Sequence, residues 1–445
     1  MARLSPLAFP ILLLLLLGTL YVSERVTDRT QKGERVRIAY WEKWTGFEYE
    51  GIKAIVDDFN NSQDRIFVDL LTISDIQNKT MMSISAGIPP DVAGLFGPNV
   101  PQYVDENAVI SLDELCKAHD IKEEDYVPSY WAIGKHNGKV YALPSTPASS
   151  ALHFNTALLR KAGFDPEKPP ATIEEMDAMA DKMVERDSSG KILVSGFLPA
   201  EPGWWNWGWG YFFGGRLWDG KSKITANSPE NIRAFEWVQS YSKKYGAANL
   251  QTFKSGFGNF SSPQNAFMAR KVAMEIQGVW MYNFISMYVK ELPWAAAPFP
   301  HPRDRPDLAG VTFVDEDILV IPRGAPHPKE AFEFIAYVQR QKNMEKLCLS
   351  HQKNSPLRNV SDEFWRQHKN PYIRMFDRLA YSKNATAPPR VGIWPELSTE
   401  MTNVFEQVSL MQKTPKEALD ELTARMQPRL DQYLERVEKR MAVVK

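Results

Sequence analysis

Over the first hundred residues the apolar positions switch period in a regular order. "RVRIAY" (35–40) is a short apolar run that reads as a buried strand. In "EYEGIKAIVDDFNNS" (48–62), Ile52, Ile55, Val56 and Phe59 fall on one helical face. "RIFVDLL" (65–71) alternates Ile66, Val68 and Leu70, the period of a strand. Helical spacing returns from Asp75 to Ala86, and "PDVAGLF" (90–96) is another short strand. Strand, helix, strand, helix, strand predicts parallel βαβ units.

Later helices carry their own start signals. Thr172 and Glu175 form a capping box ahead of Ile173, Met176, Ala180 and Met183, which turn inward. Ser228-Pro229 opens a helix that closes at Gly246, Pro328 opens another, and Thr414-Pro415 with Glu417 opens the last. "KVYALP", "ALHFN", "KVAMEI" and "DILVIP" read as strands between them. No repeat of solenoid or propeller period is present.

Two stretches fit neither period. "PLAFPILLLLLLGTLYV" (6–22) is apolar and free of charge, a length that suits a signal-peptide core or a short membrane span. No small-x-small cleavage site follows Gly18 and no cysteine follows the run, so an uncleaved anchor is favoured over a cleaved signal. Either way the bulk of the chain is expected outside the cytoplasm, with residues 23–35 as a polar tether. The second stretch, "EPGWWNWGWGYFFGG" (201–215), holds four tryptophans within six positions. Packing alone explains it poorly. Indoles between glycines suit a partner with flat apolar faces and polar edges, which describes a sugar ring.

Composition narrows the function classes. The 445 residues are 44% apolar and 24% charged, which is globular and long enough for two lobes or more. A formal net charge of −1 gives no general attraction for nucleic acid. Cys116 and Cys348 leave open one disulfide or two buried thiols. The seven histidines show no metal-ligand spacing. Neither a metal nor a cofactor is expected, and no GxSxG, HExxH or P-loop marks a catalytic centre.

"SISAGIPPDV" (83–92) resembles the "AAGxxPDV" signature of family 1 extracellular solute-binding proteins, the maltose-binding-like receptors of ABC importers. "HNGKVYALP" (136–144), "ALHFNTALLRKAGFDPEKPPATIEEMDAMADKM" (151–183) and "AFMARKVAMEIQGVW" (266–280) resemble further family motifs in the family's order, and "WAAAPFPHP" (294–302) resembles the strand returning towards the first lobe. The likeness covers roughly residues 35 to 435. It implies an α/β chain in a two-lobed type II periplasmic-binding-protein fold, with a hinge and an interlobe cleft. Residues 35–147 and 302–350 would form the first lobe, 148–301 and 351–440 the second, with crossings near "PSTPASS" (144–150) and "PHPRDRPD" (300–307).

Candidate ligand-binding residues come from both lobes. Ligands of open α/β sheets sit beyond the carboxyl ends of strands. That places Phe96, Gly97, Pro98 and Asn99 at the cleft, and Trp41, Glu42, Trp44 and Thr45 after the first strand. The resemblance gives Glu201 as an acceptor for sugar hydroxyls, and Trp204, Trp205, Trp280 and Trp394 as stacking plates. Trp207 and Trp209 are expected to pack inward. "TFVDEDILVIP" (312–322) departs from the family pattern: Asp315, Glu316 and Asp317 suit sugar hydroxyls or a cationic ligand. Arg374 and Arg390 suit an anionic group.

The function implied is capture of a carbohydrate and its delivery to a membrane permease driven by a separate ATPase. Alternatives are a polyol, glycerol phosphate or another polar solute in the same fold, and a membrane-anchored sensor. A glycoside hydrolase would need a carboxylate pair, for which Glu201 and Glu316 are the candidates.

Overall fold

β1 (Val36–Glu42) runs parallel to β2 (Ile66–Thr72) and β3 (Val92–Phe96), as the alternating periods predict. These coordinates are a computed structural model and describe residues 35–443. The apolar run at 6–22 and its tether lie outside the described residues. No described helix is long and apolar enough to cross a membrane.

Nine further strands follow: β4 (Lys135–His136), β5 (Lys139–Val140), β6 (Leu143–Asn155), β7 (Glu185–Arg186), β8 (Ile192–Phe197), β9 (Val272–Gly278), β10 (Trp294–Ala297), β11 (Thr312–Val320) and β12 (Ala385–Thr386). Apart from the β4–β5 hairpin they share one sheet, in the order β2-β1-β3-β11-β6-β9-β8-β7, with β10 on β6 and β12 on β11.

β6 and β11 tie the two halves together. The start of β6 pairs with β11 through Leu143–Ser149, and its end pairs with β9 and β10 through Ser150–Asn155. β11 turns the other way, from Phe313 among second-lobe aromatics to Ile318–Val320 against β3. All thirteen residues of β6 are buried, so its sequence reads as near-continuous apolar and small residues rather than alternating ones.

Each half has its own core. The first is built from Ile38, Tyr40, Ile52, Phe59, Phe332, Phe334 and Leu347, which joins β1, helix Gly46–Ser62 and helices Pro328–Gln339 and Gln341–His351. The second contains Phe197, Trp209, Phe235, Met274, Leu397, Val404 and Leu422, from β8, β9 and helices Pro229–Tyr245, Trp394–Ser409 and Pro415–Val443. The molecule is thus the expected two-lobed α/β protein.

Local signals act as read. The Thr172 hydroxyl accepts from the Glu175 amide at 3.2 Å while Glu175 accepts from the Thr172 amide at 3.3 Å. Gly246 ends its helix at φ 83°, a conformation that favours glycine. The boundaries near 300 and 351 differ from expectation. His301 bridges Thr172 and Asp304 pairs with Arg233, so this segment packs on the second lobe. Leu357 and Phe364 enter the first core. Proline and charge make 300–307 look like a crossing, but the chain passes between lobes inside β11. Cys116 and Cys348 are free, buried thiols.

Candidate functional site

A cavity of about 730 Å³ lies where the ends of β1, β3 and β11 meet the tryptophan-rich loop after β8. Second-lobe aromatics make most of its wall. The Trp204 ring packs on Phe260 at 4.1 Å and edge-on to Trp280 at 5.6 Å. Trp205 stacks on Phe313 at 5.8 Å with 28° between planes, and Trp207 meets Trp394 edge-on at 4.8 Å. The indole N–H groups of Trp204 and Trp280 have no partner among the described residues. Hydroxyls of Ser398, Thr399 and Thr402 line the same wall; each donates back to its own helix and keeps lone pairs to accept.

The first lobe answers with Trp44, Thr45, Phe96 and Pro98, and with a charged floor. Lys43 Nζ lies 3.1 Å from Glu42 and 3.0 Å from Asp317 Oδ1. Lys353 Nζ lies 2.8 Å from Asp317 Oδ2 and 3.7 Å from Glu48. Thr146 donates to Asp317 Oδ2 at 3.0 Å. Burial works against ionising Asp317, but Lys353 and Lys43 outweigh it and hold the carboxyl well below the usual range. The Lys43 ammonium also sits 4.6 Å over Phe96 and 4.8 Å over Trp44.

Of the residues singled out from sequence, Trp44, Thr45, Phe96, Pro98, Trp204, Trp205, Trp280, Asp315, Glu316, Asp317 and Trp394 line this cavity. The others lie elsewhere for identifiable reasons. Trp41 points to the opposite face of β1 and packs against the core cluster that contains Ala93 and Leu95. Glu42 is fully buried on the core side of β1, accepting from Tyr40 Oη and from the Lys43 amide at 2.7 Å. A Cβ at Gly94 would come 1.9 Å from its carboxylate, so any larger residue there would displace the Glu42 carboxylate. Gly97 is buried under Ile133, and Asn99 starts the next helix outside the cavity. Arg374 is turned away, its guanidinium 4.5 Å over Trp365.

Glu201 also leaves the cavity wall. It is 8% exposed, and its charge helps to raise the carboxyl of Glu275 on β9. Burial pushes the Glu201 carboxyl up to about 7 despite Lys254. Trp209 packs inward as expected, whereas Trp207, expected there too, reaches the cavity. The acidic triplet splits by strand alternation. Asp315 and Asp317 share the face of Phe313. Glu316 contributes to the floor, but both its oxygens are buried without a partner, and its charge acts on Tyr126, Tyr130 and Cys348 behind the sheet. Burial drives its carboxyl well up, and Asp315 and Asp317 add to that.

Sequence reasoning missed Lys43, Glu48, Phe260, Phe284, Phe313 and Lys353, all of which line the cavity. Alternation along β1 carried a signal for Lys43: with Ile38, Tyr40 and Glu42 inward, the strand ends and the next side chain turns to the cleft. "HQKN" around Lys353 carries none. The described residues hold no cluster of His, Cys, Asp and Glu suited to a metal ion.

Known proteins share this fold. Residues 54–368 match the family described as bacterial extracellular solute-binding protein. The sn-glycerol-3-phosphate-binding periplasmic protein UgpB of Pectobacterium atrosepticum is 22% identical over 416 residues, spanning 87% of this chain and 90% of the relative. The structure of CpMnBP1 with mannobiose bound superposes with a TM-score of 0.78 at 26% identity, covering 88% of this chain and 99% of that one. The sugar-binding protein MalE of Xanthomonas citri gives 0.72 at 19%, covering 92% and 99%. With its family matched over most of its length and its lobes arranged like theirs, the chain belongs to the bacterial extracellular solute-binding proteins, the capture components of ABC importers.

Proposed function

We propose that this protein captures a carbohydrate between its lobes and hands it to a membrane permease powered by a separate ATPase. The observation that carries this reading is the set of indole plates: Trp204, Trp205, Trp207, Trp280 and Trp394 from one lobe opposite Trp44 and Phe96 from the other. Flat apolar faces with hydroxyl acceptors around them match the C–H faces and hydroxyl rim of a pyranose. The cavity volume of about 730 Å³ lies in the range that small-ligand sites occupy. A disaccharide of about 23 heavy atoms at roughly 0.3 kcal/mol each gives ~7 kcal/mol, a Kd on the order of 10 µM. The mannobiose bound to CpMnBP1 supports the same ligand class.

The lobes close about β6 and β11, and the ligand is released unchanged. The carboxylate pair a hydrolase would use does not assemble: Glu201 stands outside the cavity, and the Glu316 oxygens are sealed behind it. Glycerol phosphate, named for the UgpB relatives, is the second reading. Against it, both cavity lysines are already paired with carboxylates. The apolar segment at 6–22 would keep the protein at the outer face of the cytoplasmic membrane.

A thermal-denaturation screen of the full chain tests this reading, with mono-, di- and oligosaccharides, polyols and sn-glycerol 3-phosphate. A ligand at about 100 times its Kd adds about 2.7 kcal/mol to the folded state, so a binding sugar raises Tm by a few degrees. A screen in which no carbohydrate moves Tm overturns the reading.

A further inference from the structure

The cavity carries an excess of negative charge, and that excess has a location. Lys43 is engaged by Glu42 and Asp317, and Lys353 by Asp317 and Glu48, so neither ammonium is free for an anion. Asp315 is the carboxylate left over. It lines the cavity, accepts the Glu316 amide at 2.8 Å, and has no ion pair among the described residues.

Several charged groups surround it. Asp317 and Glu316 stand on its own strand, Lys43 follows β1, and Lys353 follows helix Gln341–His351. Arg390 shares a crevice of about 20 Å³ with Asp315 but makes no ion pair with it. Burial first, then the charge of Asp317, raises the Asp315 carboxyl to about 6 against the two lysines.

On the same face of β11, two residues away, Phe313 packs on Trp205 and Trp207 at 5.8 and 5.0 Å. One strand period is about 7 Å, and Asp315, Trp205 and Trp207 line the same cavity, so the unpaired carboxylate and the indoles face one shared space. A carboxylate next to aromatic faces is the environment a protonated amine prefers: it supplies N–H donors to the oxygens and a positive charge to the rings. A phosphate would meet the Asp315 charge instead and find both lysines taken.

We propose that the carbohydrate captured here carries a protonated amine, held between the Asp315 carboxylate and the indoles beside Phe313. This rests on the capture reading above and names the chemical class of its ligand.

Calorimetric titration of the full chain tests it with three probes. These are a β-1,4-linked glucosamine disaccharide, its N,N′-diacetyl counterpart and sn-glycerol 3-phosphate, with a neutral disaccharide as reference. Near neutral pH the free-amine sugar is expected to bind at least about tenfold tighter than the diacetyl form, the scale of a charge-assisted contact. That advantage should shrink towards about pH 5 as Asp315 takes up a proton. Asp315→Asn should bring the two sugars to within about threefold of each other. The wild-type comparison and its pH dependence stand even where the variant folds poorly. Equal affinity for the amine and diacetyl sugars, or an Asn variant that keeps the preference, overturns the amine assignment. If neutral sugars still bind, the capture reading survives that result. Tightest binding of glycerol phosphate, or no binding of any sugar, overturns both.

Discussion

Trp280 joins two packing groups, meeting Trp204 at 5.6 Å and Trp205 at 6.0 Å while its own face borders the cavity. Removing the indole takes a plate from the ligand and leaves a gap in the wall. Trp280→Ala is expected to cost the ligand about 1.5–3 kcal/mol, roughly 10- to 100-fold in Kd by calorimetry. An unchanged Kd would remove Trp280 from the site. Glu201 gives a prediction in the opposite direction, about the apo protein. Its carboxyl rises in the folded state from 4.5 to about 7, burial being the cause, and burial raises Glu275 too. A raised carboxyl stabilises the fold while protonated; that contribution is complete below 4.5 and is lost as pH rises through about 7. Melting temperature should therefore fall between about pH 5 and pH 8, on the order of 3 kcal/mol for this group, and Glu201→Gln should flatten the slope. A slope that the variant leaves intact would mean another group sets it. At this scale the large aromatics were legible because their spacing defied both periods. Glu42 and Glu201 were not, because a carboxylate's type says nothing about which face it takes. Only the alternation of β1 and the turn after Glu201 decide that.

Elements were more legible than residues. Caps at Thr172 and Ser228, the glycine stop at Gly246 and the three leading strands follow from local chemistry and form where read. β11 was visible only as "DILVIP", its C-terminal half, because three consecutive acids argue against a strand. They are tolerated because Lys43 and Lys353 neutralise one of them, and burial raises the Glu316 carboxyl, favouring its neutral form. Such long-range compensation has no local signature. Helix Pro415–Val443 shows the same effect at longer reach. It packs in the second core through Leu419 and Leu422, yet its far end touches the first lobe. Tyr433 Oη donates to Asp105, His136 Nε2 lies 3.1 Å from the same carboxylate, and Arg440 reaches Glu106 at 3.0 Å. Tyr433→Phe removes one hydrogen bond from this clasp across the lobes. Ligand dissociation should speed up by about fivefold, close to 1 kcal/mol for one hydrogen bond, in stopped-flow tryptophan fluorescence. An unaltered rate would show that the clasp plays no part in holding the lobes together.

At the scale of the whole molecule the two lobes are assembled from several chain passages each. The first takes β1 to β3, helices Pro328–Gln339 and Gln341–His351, and the segment holding Leu357 and Phe364; the second takes β7 to β10 and the last long helices. Two lobes were foreseeable from length, from βαβ order and from the ordered family motifs. The point at which each passage changes sides was not, because it depends on pairing between strands more than 160 residues apart, such as Thr146 with Asp317. The thirteen buried residues of β6 carry one sheet from the first lobe into the second. Neither half of the clamshell is therefore a module that evolution or an engineer could lift out whole. A protease nicking one connection would leave a two-piece molecule still laced together, and a transplanted lobe would arrive with a missing rib.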